Sequence, residues 1–300
     1  MREKFQKLVA VLAVVFVLPY VIVTLGAGDV KETYALQRAS ENFISVDTKN
    51  GIREIAFEDY VCGVAAQDLM EIPGLEAIKA QMVITRTNLQ KFQEEHPGTL
   101  LSEEYLTLDE MADRGILDTM LQAVEETAGQ VLTRDNVLVQ APFHAVSSGW
   151  TRSGEEAGLG DRYSWLMAVE SRLDVESEWY LSVELVDQEK IRACIEKEYP
   201  GILTGESVMS QIRILSRDQS DYVTKLCVGE QEISGEKFRN LLGLHSSCFF
   251  LEEQGEAIRI TTKGLGHGLG LSQYGAARMA EAGQDYREIL QYYFEKCIIS

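Results

Sequence analysis

The residues whose types and spacing most suggest chemistry lie near the C-terminus, in Gly264-Leu265-Gly266-His267-Gly268-Leu269-Gly270-Leu271-Ser272-Gln273-Tyr274-Gly275-Ala276. Glycine at alternate positions lets a backbone pass close to a partner or adopt dihedrals closed to other residues. Phosphate cradling is the generic use of such loops. The run, however, has neither a GxGxxG after a strand nor a GK followed by Ser or Thr. His267 is its titratable side chain, and on composition alone a structural histidine outweighs a catalytic one. Ser272 is a natural N-cap for a helix that follows directly.

Cysteine chemistry points nowhere specific. Cys62, Cys194, Cys227, Cys248 and Cys297 are scattered, without a CxxC pair. Metal and redox motifs need close spacing, so these read as small buried hydrophobes, with a single bridge as the alternative.

Composition narrows the partners. Over 300 residues, 45% hydrophobic and 25% charged content is that of a globular chain with ample length for a core. The formal net charge is -19. Such a surface repels nucleic acid, which needs a basic footprint, and disfavours adsorption to anionic lipid. A neutral glycan tolerates it, although plain solubility explains the acidity as well.

Leu8 to Leu25 is nearly unbroken apolar sequence, close to the ~20 residues that cross a bilayer. Arg2, Lys4 and Lys7 precede it, and Asp29 and Glu32 follow. Basic flanks stay cytoplasmic, which predicts a single-pass cell-membrane protein with its N-terminus inside and everything from Asp29 outside. A cleaved signal peptide is the alternative. The run is long for one, and Leu25-Gly26-Ala27 is a poor cleavage site. Residues 1–28 thus read as cytoplasmic tip and anchor, 29–50 as a stalk or entry segment, and 51–300 as the working domain, with 177–254 a lobe or insertion.

The elements that must position the loop follow from periodicity. Helices are predicted over Phe57–Met70, onward from Leu75 to about Glu95, Ile116–Thr127, Ile191–Lys197, Ser272–Ala282 and Tyr286–Phe294. Strands are predicted over 130–133, 137–146, 165–170, 210–216, 222–228, 248–252 and 257–262. The class is α+β, with a helix pair first, short mixed strands in the middle and helices last.

The glycine run resembles the signature loop of the stage II sporulation protein D and amidase-enhancer family, usually written GWGHGVGMSQYGA. Other blocks follow in family order. Tyr60 to Ala65 with Leu75 to Gln81 and Arg86-Thr87 is similar to the opening helix pair. Phe143-His144 with Ser147-Ser148-Gly149 and Thr151 resembles YHSTSGGYT. Ser234-Gly235, Phe238-Arg239 and Leu242-Gly243-Leu244 resemble SGxxLRxxLGL.

The resemblance implies a lytic transglycosylase of peptidoglycan, one carboxyl serving as acid and then base while the muramic 6-hydroxyl closes a 1,6-anhydro end. The family's glutamate lies eight residues after the tyrosine, and here that position is Asp68. Asp keeps the carboxyl and shortens its reach. Glu71, one turn on, is the substitute acid, and an ordinary helix-end carboxylate is the plain alternative for Asp68. Lys79, Gln81, Arg86, Ser147, Ser148, His267 and Gln273 are implied substrate-binding groups, Asp68 and His267 facing one cleft. Trp150 and Trp165 could stack on sugar, with burial the alternative. In some relatives the strand histidine joins cysteines at a zinc, but none lies between His144 and Cys194, so neither metal nor cofactor is implied. Implied partners are peptidoglycan glycan strands, a cell-wall amidase and membrane anchor proteins of the engulfment complex. The competing reading is a non-catalytic glycan-binding amidase enhancer.

Overall fold

The computed structural model describes residues 42–70, 74–205 and 207–300. The predicted anchor and Glu71 lie outside them. Among the described residues no helix is long and apolar enough to cross a membrane.

The architecture is α+β, with eight α-helices and several small sheets among the described residues. It opens with a hairpin of β1 (Phe43–Thr48) and β2 (Gly51–Ala56). Ile44 and Val46 point inward at the two-residue period of a strand, so the described end of the segment read as a stalk or entry segment enters the core from Phe43. Next come α1 (Phe57–Asp68) and α2 (Leu75–Glu95). The 21-residue α2 is buried on most of its surface because α1 and later helices pack around it. Gly63 of α1 makes room for the segment before α3 (Leu108–Asp113), and the Leu106 N–H donates to the Gly63 carbonyl at 3.1 Å. With α4 (Leu117–Glu126), these elements close a first core around Tyr60, Ile78, Met82 and Leu101.

A second core forms where α7 (Gln273–Glu281) and α8 (Tyr286–Tyr293) pack against α2. Between them in sequence lie the short β3 (Leu132–Arg134), β4 (Val137–Leu138) and β5 (Phe143–His144). The predicted 137–146 strand is broken into pieces, and Pro142, which has no N–H to donate, ends the gap before β5. The predicted 165–170 strand is absent. Trp165 is instead buried against Phe294, its Nε1–H donating to the Arg162 carbonyl at 2.9 Å. The aromatic content that suggested a strand belongs to a turn packed on the core.

A third core draws on residues 191–260. It holds β6 (Leu181–Asp187), α5 (Gln188–Glu198), the sheet β7 (Ile212–Arg217), β8 (Val223–Val228) and β9 (Gln231–Ser234), α6 (Gly235–Leu242), then β10 (Phe249–Gln254) and β11 (Ala257–Lys263). β11 is the middle strand between β10 and β6, both antiparallel to it. The chain returns through β12 (Leu271–Ser272), parallel to β5, and ends on β13 (Ile298–Ile299), which pairs with β3. None of the five cysteines is in a disulfide.

Candidate active site

The glycine run lies along the 142–147 segment. Leu265 and Val146 exchange both backbone hydrogen bonds, at 2.7 and 3.0 Å, and the Tyr274 N–H donates to the Ala145 carbonyl at 3.0 Å. Glycine is required where the strands touch. Gly266 has φ +113°, and a Cβ there would stand 2.8 Å from the Cβ of His144. The loop serves close backbone packing instead of ligand cradling.

Its exit is held by a carboxylate that no sequence motif singles out. Buried Asp174 accepts from the Ser147 N–H and from the Ser272 hydroxyl, both at 2.7 Å. Ser272 in turn caps α7, accepting from the Gly275 N–H at 3.2 Å. Burial raises the Asp174 pKa, and these hydrogen bonds oppose the rise. Asp174 thereby locks the start of α7 to the 145–148 strand.

That lock aims Gln273. Its side-chain amide donates to the backbone carbonyl of Asp68 at 3.0 Å and to the Gln81 side-chain carbonyl at 3.4 Å. Gln81 is buried on α2 and donates to Thr85 Oγ1 at 3.3 Å. The last residue of α1, the inner face of α2 and the first residue of α7 therefore meet at one point.

Asp68 keeps access to solvent, as a group that must meet a polymer requires, yet the protein mass around it removes enough water to matter. Burial chiefly, and the charge of Glu103 secondarily, push its carboxyl up to about 6. Glu103 is held in place: the Tyr60 hydroxyl donates to its Oε2 at 3.1 Å and its backbone carbonyl at 3.0 Å, and the Ser102 N–H donates to Oε2 at 3.2 Å. Sequence reasoning missed Glu103, because only the fold brings the 101–106 segment along α1.

Beside Asp68 opens a cleft of about 370 Å³, within the range of small-ligand sites, roughly 300–1,000 Å³. Leu69 and Met70, the next residues after Asp68, line it together with Gln273, Tyr274, Trp179 and Arg278. The Arg278 charge is matched by Glu281 and Glu176.

This arrangement coincides with a known family. A family model described as Stage II sporulation protein matches residues 45–134, the span from β1 to β3 that holds α1, α2, Asp68 and Glu103. The stage II sporulation protein D of Bacillus amyloliquefaciens is 29% identical over 274 residues, 84% of this chain and 76% of that protein. The protein of the same name from Bacillus subtilis (strain 168) is 28% identical over 270 residues, 83% of this chain and 76% of its own length. The chain thus carries a stage II sporulation protein domain over residues 45–134 and is similar along most of its length to stage II sporulation protein D. An amidase enhancer of Bacillus subtilis is 25% identical over 281 residues, 77% of this chain and 39% of the enhancer.

The remaining residues singled out from the family motifs take other places in this chain. Lys79 is buried between Glu76 and Glu126, each at 2.5 Å, above the Tyr286 ring. Arg86 is wholly buried, its guanidinium held by Glu58 and the Gln130 carbonyl. Both cations cross-link helices and do not line the cleft beside Asp68. Ser147 is buried, its Oγ accepting from the Gly149 N–H, while Ser148 donates to the Ser220 carbonyl.

His267, expected to share a cleft with Asp68, is not among the residues lining the cleft beside Asp68. Its ring is 5.9 Å from that of His144, and its Nδ1 accepts from the Leu269 N–H. Its pKa is lowered, by burial first. His144 donates from Nδ1 to the Leu269 carbonyl at 3.0 Å, and burial, with the neighbouring His267, brings its pKa down to about 3. The pair is a neutral clasp on Leu269. The member of the motif that reaches Asp68 is Gln273.

Proposed function

We propose that this chain is a peptidoglycan lytic transglycosylase with Asp68 as its single acid/base, acting during engulfment in sporulation. The observation that carries the reading is the placement of that carboxyl at the end of α1, where Gln273 holds its backbone and Leu69 and Met70 open the cleft. With a pKa of about 6 the carboxyl holds its proton in a useful fraction of molecules near neutrality, which an unperturbed aspartate does not.

The chemistry needs no second carboxylate and no water. Protonated Asp68 gives its proton to the oxygen linking N-acetylmuramic acid to N-acetylglucosamine, and the C1–O bond breaks. The resulting aspartate takes the proton of the muramic 6-hydroxyl as that oxygen bonds to C1, which closes the 1,6-anhydro ring. The acid is regenerated, and one β-1,4 bond becomes one anhydro end and one free 4-hydroxyl. Gln273 steadies the backbone from which Asp68 projects. Glu103, kept in place by Tyr60, disfavours early loss of the proton and opposes the positive charge that develops on the sugar.

The substrate would be glycan strands already stripped by a partner amidase, and the apolar run Leu8–Leu25 supports a single-pass anchor that leaves residues 29–300 outside the membrane. A second reading, a glycan-binding enhancer of an amidase without chemistry of its own, is favoured by two features. Asp68 stands where the family has the longer glutamate, and an amidase enhancer is among the relatives. Mass spectrometry of denuded strands incubated with the full chain separates the two. New 1,6-anhydro ends support the enzyme; binding without them supports the enhancer.

A further inference from the structure

Of the tryptophans, Trp165 is buried, whereas Trp150 and Trp179 are 48% and 42% exposed. Only Trp179 is among the residues lining the cleft that begins at Leu69 and Met70. A half-exposed indole on a loose loop would be unremarkable, but this one is held on both sides. The Trp179 N–H donates to Ser177 Oγ at 3.2 Å, and the Tyr180 N–H closes the same turn on the Ser177 carbonyl at 3.0 Å. The Tyr180 carbonyl accepts from the Gly264 N–H at 2.7 Å, tying the turn to the first glycine of the loop. Upstream, the short helical turn 172–176 contains Asp174, the buried staple of Ser147 and Ser272. The His245 ring stands 6.4 Å from the indole. Trp179 and Gln273 are therefore positioned by the same framework that positions Asp68.

We propose that Trp179 is a stacking platform for a pyranose ring, and that it seats the glycan strand in the cleft next to Asp68. The inference rests on the glycan-cleaving reading for its choice of substrate. Its physical basis is separate. An indole face is apolar and electron-rich, and the C–H face of a β-linked sugar is apolar and weakly positive, so the two match without any charge. Among the described residues lining the cleft no free cation stands ready for a phosphate or nucleotide, since Arg278 is engaged by Glu281 and Glu176. A rigid aromatic also loses little side-chain freedom when the sugar docks. Trp150 provides a control of similar exposure outside the lining of this cleft.

The test uses the full chain and denuded peptidoglycan glycan strands, with binding and anhydro-end formation measured in parallel. Trp179→Ala should weaken strand binding roughly tenfold and raise KM with kcat little changed, Trp179→Phe should recover most of the loss, and Trp150→Ala should leave both unchanged. Should Trp179→Ala fold poorly, Trp150→Phe leaves the Trp179 indole as the exposed fluorophore, and strands should change its emission. Wild-type affinity in a folded Trp179→Ala, or an emission indifferent to saturating strands, overturns the platform. Strand binding that depends on Trp179 without anhydro ends would remove the transglycosylase reading and leave the platform standing. Anhydro ends made equally fast by Trp179→Ala at strand concentrations well below KM would do the reverse.

Discussion

The Gln273 side-chain amide donates to the backbone carbonyl of Asp68 at 3.0 Å, joining the C-terminal glycine motif to the end of the first helix across 205 positions of sequence. Asp68 is the last residue of α1, where carbonyls lack an intrahelical partner. Gln273 supplies that partner from the first position of α7. The bond thus fixes the direction in which α1 ends, and with it the origin of the Asp68 side chain.

Gln273→Ala is expected to cut anhydro-end formation by about ten- to a hundredfold, because a displacement near 1 Å at a reacting group costs on that order. Melting temperature should move little, since the bond is partly exposed and replaceable by water. A rate loss matched by an equal loss of folded protein would make Gln273 merely structural.

The pH profile should carry an alkaline limb near pH 6. A general acid works only while protonated, so turnover falls as pH rises past the Asp68 pKa of about 6. Glu103 raises that pKa by its charge. Glu103→Gln removes the charge, so the limb should shift to lower pH and turnover at pH 7 should drop. A limb that stays in place would detach Glu103 from Asp68.

Much of this was legible in the sequence, and the reasons for the remainder are physical. Phe57 to Glu95 and Gln273 to Tyr293 read as helices because their apolar residues recur at helical spacing. β6 was not legible: Leu181, Val183 and Leu185 alternate as in a strand but face solvent, so no buried face announced them. Arg86 and Lys79 stood in matching motifs, and motif membership does not distinguish a cation that meets substrate from one that pins helices together. Glu103 and Asp174 were invisible for a different reason. Each gains its role from a neighbour far away in sequence, Tyr60 in one case and Ser272 in the other.

The His144 clasp gives a stability test. Its folded pKa of about 3 lies below the unfolded 6.5, so above pH 6.5 the ring is neutral in both states and imposes no penalty. As pH falls below 6.5 the unfolded chain takes the proton first, and stability declines towards pH 3. The limiting slope of about 1.4 kcal/mol per pH unit makes the loss roughly 2–3 kcal/mol between pH 6.5 and 4.5. His267, also lowered, adds in the same direction, and Asp174, raised, opposes it. His144→Asn should be less stable at pH 7 yet lose less on acidification. Denaturant unfolding at several pH values measures the difference, and parallel slopes for the two proteins would refute the assignment.

The decisive substitutions are at Asp68 itself. Asp68→Asn keeps the shape and removes the proton, so anhydro ends should vanish while strand binding persists. Asp68→Glu restores the methylene that the family has at this position. Proton transfer needs a heavy-atom separation of ~2.6–3.2 Å to the glycosidic oxygen, and a cleft built for the longer arm should be reached better by it. Turnover by Asp68→Glu is therefore expected to exceed wild type, by up to about a hundredfold if the missing reach is near 1 Å. Added length also moves the carboxyl, so the alkaline limb of the pH profile should shift along with the rate. Wild-type turnover in Asp68→Asn would mean that another carboxyl is the acid. Product from Asp68→Glu but none from wild type would mark this chain as a family member whose acid has lost its reach, and would leave glycan binding as its activity.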